Sequence, residues 1–255
     1  MEEISVTIIT LNEEKNIRDC LESVHGLADE VIVVDAFSED KTFEIACEYT
    51  KAVFQREWGG FASQKQFALD KATCPWVLSL DADERLTPEL GQAIKRILMD
   101  GTQFDGFKIP RRTYFLGKWI RHCGWYPGYQ IRLFKRAKTR VSQSHVHEGF
   151  IVDGSIGILK QDIIHYTNPT LEASFEKMMT YSALEALDRL ERKRVRWYHF
   201  IGNPIAVFFN KYIAQRGFLD GIHGLILSLI AAMLKMMLYM RIWERQNRVN
   251  KREPA

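Results

Sequence analysis

The sequence lacks the signatures of several protein classes. Its 255 residues include four cysteines, which form no CxxC pair and show no zinc-ligand spacing, so we expect reduced thiols. The formal net charge of +3 is too small for the whole molecule to bind nucleic acid, and we find no internal repeat or low-complexity segment. The residues before Ile4 lack the basic flank and apolar stretch of a secretory signal. These absences favour an ordinary globular protein of the cytoplasm with no nucleic-acid partner.

The first third of the chain alternates between the hydrophobic periods of strands and helices. Apolar, β-branched runs predict buried strands, each followed by a segment with helical spacing, at residues 4–10, 31–34, 52–54 and 76–80. Such alternation builds a mostly parallel sheet with right-handed crossovers and helices on both faces. The predicted fold class is therefore α/β and Rossmann-like.

The pattern becomes less regular after Gly101. Further strands are expected at residues 106–109, 130–134 and 163–166, and we expect them to extend the same sheet. Residues 171–190 have helical spacing, and the chain beyond Phe200 is strongly apolar. We therefore predict a first domain over residues 1–168 and a C-terminal helical segment over residues 169–255.

An acidic motif follows the strand predicted at residues 76–80. Asp81, Ala82 and Asp83 lie at its carboxyl end, where open α/β sheets bind ligands, and Glu84 is expected in the loop beyond them. Mg²⁺ or Mn²⁺ uses one or two carboxylates and completes its shell with phosphate and water oxygens, which suits a diphosphate leaving group. The competing interpretation is a solvated turn or a helix-capping pair. The preceding βα units and the helix start that follows favour a metal site.

The ends of the first two strands predict more residues at the same rim. Asn12 and Glu13 follow the first strand, and Asp35 closes the second. Asp35 is suited to hydrogen-bonding a base or a ribose, although capping of the next helix is the competing interpretation. We therefore expect these side chains near the acidic motif.

Four motifs in this order resemble those of the family 2 inverting glycosyltransferases with the GT-A fold. The motifs cover about two thirds of the chain and lie at residues 10–13 (TLNE), 33–42 (VVD with Ser38, Asp40 and Thr42), 60–69 and 80–84 (LDADE). A closer resemblance, to the bacterial lipopolysaccharide-core glucosyltransferases that act on heptose, is carried by residues 60–65 (GFASQK), 121–127 (RHCGWYP) and 130–134 (QIRLF).

The resemblance implies a donor, an acceptor and a set of donor-site residues. The donor would be a nucleotide sugar, UDP-glucose, and the acceptor a lipid-linked sugar such as a heptose of the lipopolysaccharide inner core. A polyprenyl phosphate or another glycolipid is the alternative acceptor. The implied roles are contact with the nucleoside for Thr10, Glu13 and Asp35, a position near the base or phosphates for Lys65, contact with the ribose for Asp81 and metal binding for Asp83.

An inverting transfer needs a group that takes the proton of the acceptor hydroxyl. Glu148 is our candidate because it lies in a loop after the last core strand with Gly149 behind it, and a surface carboxylate is the competing interpretation. His145 and His147 alternate in an extended segment and therefore share a face. We predict that His147 completes the metal shell or contacts phosphate, with a structural role as the alternative for both histidines.

Two further features suit phosphate and sugar binding. Arg132 could pair with the diphosphate or with an acidic acceptor, since a guanidinium matches phosphate oxygens in a bidentate way. Trp125 and Tyr126 could support the apolar face of an acceptor sugar, and packing is the competing interpretation for both rings.

The C-terminal segment is apolar and flanked by cations. Residues 222–240 are almost continuously apolar, near the lower limit for spanning a bilayer, but they include Lys235. Basic residues lie on both sides, at 189–196 and 241–252. This pattern favours an interfacial helix on anionic lipid, which predicts a peripheral protein at the inner face of the inner membrane. A core helix or a homodimer interface is the alternative.

Other function classes fit less well. A nucleotidyltransferase shares the acidic metal site but usually carries a glycine-rich, arginine-containing loop after its first strand, and residues 10–15 contain neither this loop nor the GxGxxG of a dehydrogenase. A membrane-docked binding protein without turnover is the non-enzymatic alternative. The presence of Asp81, Asp83 and Glu148 argues against it.

Overall fold

The computed structural model describes residues 1–142, 149–167, 170–189 and 195–250. The chain divides into two compact units, the first formed by Met1–Arg112 with Pro127–Tyr166 and the second by Thr113–Tyr126 with Thr167–Ala255. Residues 113–126 thus group with the C-terminal residues. The predicted division at residue 168 assigned them to the first domain. The domain boundary itself stays a prediction.

The described elements follow one another along the chain as thirteen strands and seven α-helices. The strands are β1 Ile4–Thr10, β2 Glu30–Asp35, β3 Val53–Gln55, β4 Trp76–Asp81, β5 Glu84–Leu86, β6 Gly106–Ile109, β7 Arg111–Phe115, β8 Lys118–Trp119, β9 Gln130–Lys135, β10 Thr139–Val141, β11 Phe150–Val152, β12 Ile156–Ile158 and β13 Ile163–Thr167. The helices are α1 Ile17–Val24, α2 Thr42–Tyr49, α3 Phe61–Lys71, α4 Pro88–Asp100, α5 Leu171–Arg189, α6 Tyr198–Phe209 and α7 Ile222–Asn250.

A seven-stranded sheet forms the centre of the first unit. Its strand order is β12-β6-β9-β4-β1-β2-β3, with β4, β1, β2 and β3 parallel and β9 antiparallel to both of its neighbours. On one face, Ile8 of β1 belongs to a cluster with Leu21 of α1 and Ile94 of α4. On the other face, Ile9 belongs to a cluster with Leu69 of α3. The predicted mostly parallel sheet with helices on both faces is therefore confirmed.

Local sequence signals set the ends of the helices around this sheet. The Thr87 hydroxyl accepts a hydrogen bond from the Leu90 N–H at 3.2 Å, and Pro88 occupies the first turn, where its missing N–H costs nothing. Gly60 precedes α3 with a φ of 93°, a conformation that favours glycine. The helix start after the acidic motif was predicted and is confirmed.

Two expectations about the sheet were wrong. The strand around residues 163–166 does not extend the seven-stranded sheet, because β13 pairs antiparallel with β5. Glu84 does not lie in a loop but begins β5, and all three residues of that strand are buried. Strand β5 forms through its pairing with β13. Because β13 lies much later in the chain, local periodicity does not report this partner.

The second unit contains the β7–β8 hairpin, in which Tyr114 pairs with Trp119, and the three C-terminal helices. Helices α5 and α6 both pack on α7, which buries Ala186, Leu238 and Ile242 in one cluster. Helix α7 is long and apolar enough over Ile222–Asn247 to cross a membrane, by length and composition.

Candidate active site

The carboxyl ends of β1, β2 and β4 bring the predicted rim residues together. In the strand register Thr10 lies opposite Asp35, and Ile9 lies opposite Asp81. Because these strands are parallel neighbours, the residues that follow them share one edge of the sheet. The predicted rim therefore exists in the first unit.

Asp81 is the centre of an ion network at this rim. Its Oδ2 accepts a hydrogen bond from the Arg132 guanidinium at 2.5 Å, and its Oδ1 lies 3.1 Å from Lys65 Nζ. Burial raises the pKa of Asp81, but the charges of Arg132 and Lys65 outweigh this effect and hold the pKa well below its usual range. The carboxylate is therefore ionised and already engaged through both oxygens.

Glu84 extends the network below the surface. Its Oε1 accepts from Arg132 at 2.7 Å and lies 3.5 Å from the Arg111 guanidinium, while its Oε2 accepts from the backbone N–H of Asp81 at 3.0 Å. Glu84 is fully buried and Arg132 nearly so. One buried carboxylate thus fixes both the backbone of the acidic motif and the guanidinium beside it.

Asp83 points to a different partner. Its Oδ2 lies 3.2 Å from Nε2 of His165, and its backbone carbonyl accepts from the N–H of Tyr166 at 2.9 Å. The antiparallel pairing of β13 with β5 places His165 opposite Glu84 and so next to the acidic motif. A carboxylate and an imidazole therefore meet at the rim.

Two buried polar atoms at this edge have no hydrogen-bond partner within the part of the chain that the structure describes. They are the Thr10 hydroxyl oxygen and Nε of Arg132. A buried polar group without a partner costs about 1–3 kcal/mol, so native proteins rarely leave one unused. Both atoms are suited to contact with a polar ligand.

The remaining rim residues make bonds within the loops. The Asp35 carboxylate accepts from the Ser38 hydroxyl at 2.5 Å and from the Ser38 N–H at 3.0 Å, and Asp35 is fully buried. Asn12 has a φ of 54° and accepts through Oδ1 from the Glu39 N–H at 2.9 Å. Glu13 accepts from the Asn16 side chain at 2.7 Å. These bonds hold the loops after β1 and β2 together.

Comparison with known proteins decides the family. The family described as "Glycosyl transferase family 2" matches residues 5–164, which is more than half of the chain and includes the rim residues described above up to, but not including, His165. The chain belongs to glycosyltransferase family 2.

Two relatives and one solved structure extend this comparison. The glycosyltransferase is 30% identical over 250 residues to the lipopolysaccharide core biosynthesis glycosyltransferase LpsC of Rhizobium meliloti, covering 95% of this chain and 92% of the relative. It is also 30% identical over 255 residues to the uncharacterized glycosyltransferase RP128 of Rickettsia prowazekii, covering 93% and 85%.

Glucosyl-3-phosphoglycerate synthase from Mycobacterium tuberculosis, solved with Mn²⁺, uridine diphosphate and glucosyl-3-phosphoglycerate, shares 18% identity with this glycosyltransferase. The TM-score is 0.50, with 72% of this chain and 78% of that chain covered. This likeness shows the fold, which is the GT-A fold. The family resemblance seen in the sequence motifs is therefore confirmed.

The fold family implies a divalent cation, which would need ligands among the side chains at the rim of this glycosyltransferase. Among the described residues, no group of three His, Cys, Asp or Glu side chains could hold a metal ion. Adjacent ligands of an octahedral ion with bonds of about 2.1 Å lie about 3 Å apart. The 3.2 Å between Asp83 Oδ2 and His165 Nε2 is an ordinary hydrogen-bond distance and is also compatible with that separation. This pair fits two positions of such an ion, with phosphate and water oxygens for the others.

The predicted base and the second predicted metal ligand fall outside the described residues. Glu148, His145 and His147 all lie within residues 143–148, so their roles stay predictions. Ala82 is buried between the two aspartates of the motif.

The predicted acceptor-binding rings of the glycosyltransferase lie in the second unit. Trp125 packs edge-on against Phe115 with ring centroids 5.9 Å apart, and Tyr126 packs edge-on against Trp119 at 5.5 Å. The Arg121 guanidinium lies 4.1 Å from the Trp119 ring centroid. Packing against these rings therefore covers part of the surface of Trp125 and Tyr126, which are half-buried. Their sugar-binding role stays a prediction.

Sequence reasoning missed Arg111 and His165, and it placed Glu84 in a loop without assigning it a partner. A signal existed for His165, which is a polar residue inside the apolar strand predicted at residues 163–166. Only the pairing of β13 with β5 shows which residues it faces.

Proposed function

We propose that this chain is an inverting, metal-assisted glycosyltransferase that transfers glucose from UDP-glucose to a lipid-linked acceptor, such as a heptose of the lipopolysaccharide inner core. The observation that carries the proposal is the arrangement at the ends of β1 and β4, where Asp83 and His165 lie beside Asp81, Lys65 and Arg132. The name of the Rhizobium relative supports the acceptor class. The uridine diphosphate and Mn²⁺ in the mycobacterial structure are consistent with the donor and the cofactor.

Each rim residue has a distinct proposed role. Thr10, whose buried hydroxyl lacks a partner in the described chain, would contact the nucleoside together with Asn12, Glu13 and Asp35. Asp81, whose side chain is 28% exposed, would accept a hydrogen bond from the ribose in addition to those from Lys65 and Arg132.

Lys65 and Arg132 supply positive charge on the same side of the site. Their cationic groups lie within 3.1 Å of Asp81, and Nε of Arg132 is unpaired among the described residues. A preorganised cation near a departing diphosphate stabilises its developing charge more than it stabilises the bound donor. These residues would therefore favour departure of the leaving group.

Asp83 and His165 would hold the Mg²⁺ or Mn²⁺ ion, with His147 as a further candidate. When bound, the ion would neutralise the diphosphate as the glycosidic bond breaks. Glu148 would take the proton of the acceptor hydroxyl as the new bond forms on the opposite face of the sugar. This role rests on the sequence alone.

The first experiment measures sugar transfer by the full-length chain. Purified protein is incubated with a core glycolipid ending in heptose, Mn²⁺ and each of several nucleotide sugars, and UDP-glucose should give the fastest transfer. Asp83→Asn should lower kcat/KM by about 100-fold or more, since it removes a ligand of the charge-neutralising ion. The matched control Asp100→Asn, an exposed aspartate at the end of α4, should leave transfer unchanged. Equal rates for Asp83→Asn and the control would contradict the proposed site.

A second experiment separates the proposed base from donor binding. Glu148→Gln should lower kcat by about 100-fold to 10,000-fold, because it removes the acceptor for the hydroxyl proton. Its affinity for UDP should stay at the wild-type value. A variant that keeps its kcat, or that loses UDP affinity instead, would exclude Glu148 as the base. Transfer to a polyprenyl phosphate rather than to the heptose acceptor would correct the acceptor.

We also propose that the enzyme works as a peripheral protein at the anionic inner face of the inner membrane. The apolar composition of α7 and the basic residues around it support this location. Truncation after residue 200 should therefore move the protein from the membrane fraction to the soluble fraction.

A further inference from the structure

The second unit carries an exposed apolar ridge along α6. The ridge consists of large apolar side chains that recur every fourth residue and are 50–75% exposed: Trp197, Ile201, Ile205, Phe209 and Ile213. Each step of four residues turns about 40° around an α-helix, so neighbouring side chains adjoin and the five form a stripe that winds around the helical run, with Trp197 just before α6 and Ile213 just after it. This surface is called the α6 ridge below.

The opposite face of α6 is packed within the unit. Pro204 is buried, and Phe200 packs against the cluster that contains Leu238 and Ile242 of α7. The Asn203 side chain donates a hydrogen bond to the Tyr239 hydroxyl at 2.8 Å. Helix α6 is therefore fixed on its inner side, and the exposure of the ridge does not come from a loosely held helix.

The apolar surface continues beyond the helix. Phe218, Leu219 and Ile222 are 46–62% exposed and follow the ridge along the chain. Near the start of α6, a groove of about 580 Å³ is lined by Trp197, Phe200, Met240, Arg241, Trp243 and Glu244. Large apolar side chains exposed in succession along one segment are typical of an interaction surface, since soluble monomers rarely expose large apolar patches.

The charges around the ridge distinguish between two occupants. From residue 196 to residue 219 the sequence contains Arg196, Lys211 and Arg216 but no aspartate or glutamate. Arg196 and Arg216 are exposed and stand at the two ends of the ridge. Asp220, which follows, is buried and pairs with His122 at 3.1 Å.

A second copy of the chain would bring these arginine ends against each other, whether the two ridges ran parallel or antiparallel. The ridge segment itself contains no carboxylate, and Glu244 of α7, which lines the groove at the start of the ridge, is accompanied there by Arg241. An anionic lipid surface offers the opposite charge, and Trp197 with Tyr198 at one end suits the headgroup region of a bilayer. The charge pattern therefore favours lipid over self-association.

The length of α6 shows how it would contact the lipid. Its 12 residues rise about 18 Å, well short of the ~30 Å hydrocarbon core. Helix α7 is long enough to span, but its Leu227, Leu238 and Ile242 are buried within the unit. Insertion of α7 across the bilayer would remove it from the helices that pack on it.

We propose that the α6 ridge is the membrane-docking surface of the enzyme and lies flat on anionic lipid, while α7 stays within the folded unit. This inference rests on the proposed membrane location and specifies the surface that provides it. Residues 118–123, which begin with β8, belong to the same unit as the proposed acceptor-binding rings. Lys118 Nζ donates to the Asp220 carbonyl at 2.8 Å, and the His122 N–H donates to the Asp220 carboxylate at 2.8 Å. Docking would thus hold those residues near lipid-linked acceptors.

The test measures flotation of the full-length chain with vesicles of phosphatidylcholine alone or mixed with phosphatidylglycerol. Wild-type protein should float with the mixed vesicles, and its binding should weaken as salt is raised. The double substitution Ile201→Glu and Ile205→Glu should lower the partition coefficient by about tenfold or more, because two apolar anchors become repelled charges. The matched control Ile158→Glu changes an isoleucine that is 60% exposed in the first unit and should float like wild type.

Three results would overturn the inference. The first is flotation of the ridge variant that is as strong as that of wild type. The second is resistance of the membrane-bound wild type to alkaline extraction, which is expected of a spanning helix. The third is a wild-type dimer that forms without lipid and that is lost in the ridge variant. Thermal unfolding of the variant should match wild type, since both sites are exposed. Transfer to a detergent-dispersed acceptor should be unchanged in the variant, so failure of the proposed reaction in wild type is recognised separately from failure of docking.

Discussion

Replacement of Arg132 by methionine tests the buried ion network through stability rather than through activity. Arg132 lies 2.7 Å from Glu84, which is fully buried. At an effective dielectric constant of about 20, opposite charges at that distance attract by about 6 kcal/mol, although desolvation offsets part of this. Loss of one partner of a buried pair leaves the other charge stranded and costs about 3–5 kcal/mol. Arg111, 3.5 Å from Glu84, compensates in part, so we expect a loss of about 3 kcal/mol.

The assay is urea unfolding followed by circular dichroism, with linear extrapolation to water. Lys65→Met is the matched control, since its partner Asp81 is 28% exposed and keeps Arg132, and it should cost less than Arg132→Met. Adding Glu84→Gln to Arg132→Met removes the stranded charge and should restore about 1–2 kcal/mol. Equal losses for Arg132→Met and the control, or no recovery in the double variant, would refute the reasoning.

Two further predictions concern other parts of the chain. Hydrogen bonds from Lys135 and nearby backbone hold the pKa of Asp105 at about 2, below its ordinary 3.8; this carboxylate therefore stabilises the fold above about pH 3.8 and loses that contribution as the pH falls to about 2. Asp105→Asn should lower Tm at neutral pH and converge with wild type near pH 2, and a constant Tm difference would contradict this. A Cβ on Gly224 would lie 1.8 Å from the Gly217 carbonyl oxygen, so Gly224→Ala should cost about 2 kcal/mol or more in urea unfolding. Gly202→Ala, with nothing within 4 Å, should stabilise α6 by up to about 1 kcal/mol, and equal effects would show that the close contact is absent.

The parallel core of the fold could be predicted because buried parallel strands are continuous apolar runs. The bounds of β1 match the predicted run, and β4 extends it by one residue, to Asp81. The position of Asp81 at the rim followed from this, since a strand end determines which residues face a ligand.

The rest depended on contacts between distant residues. Strand β5 has three residues, and its partner β13 lies more than 75 residues later, so no local period reports the pair. His165 therefore became a candidate only with the structure. The same holds for residues 118–123, which Asp220 fixes through hydrogen bonds over about 100 residues of chain. A polar residue within an apolar run can be noticed in the sequence, but the distant residue that it contacts cannot.

The most direct test of the central claim is the equilibrium affinity of the protein for UDP with and without Mn²⁺, measured by isothermal titration calorimetry. Mn²⁺ should raise the affinity of the wild type by about tenfold or more, because Asp83 and His165 would hold an ion that neutralises the diphosphate. Asp83→Asn should lose this gain and keep the affinity measured without metal. A wild-type affinity that ignores Mn²⁺, or a full metal-dependent gain in Asp83→Asn, would contradict the account.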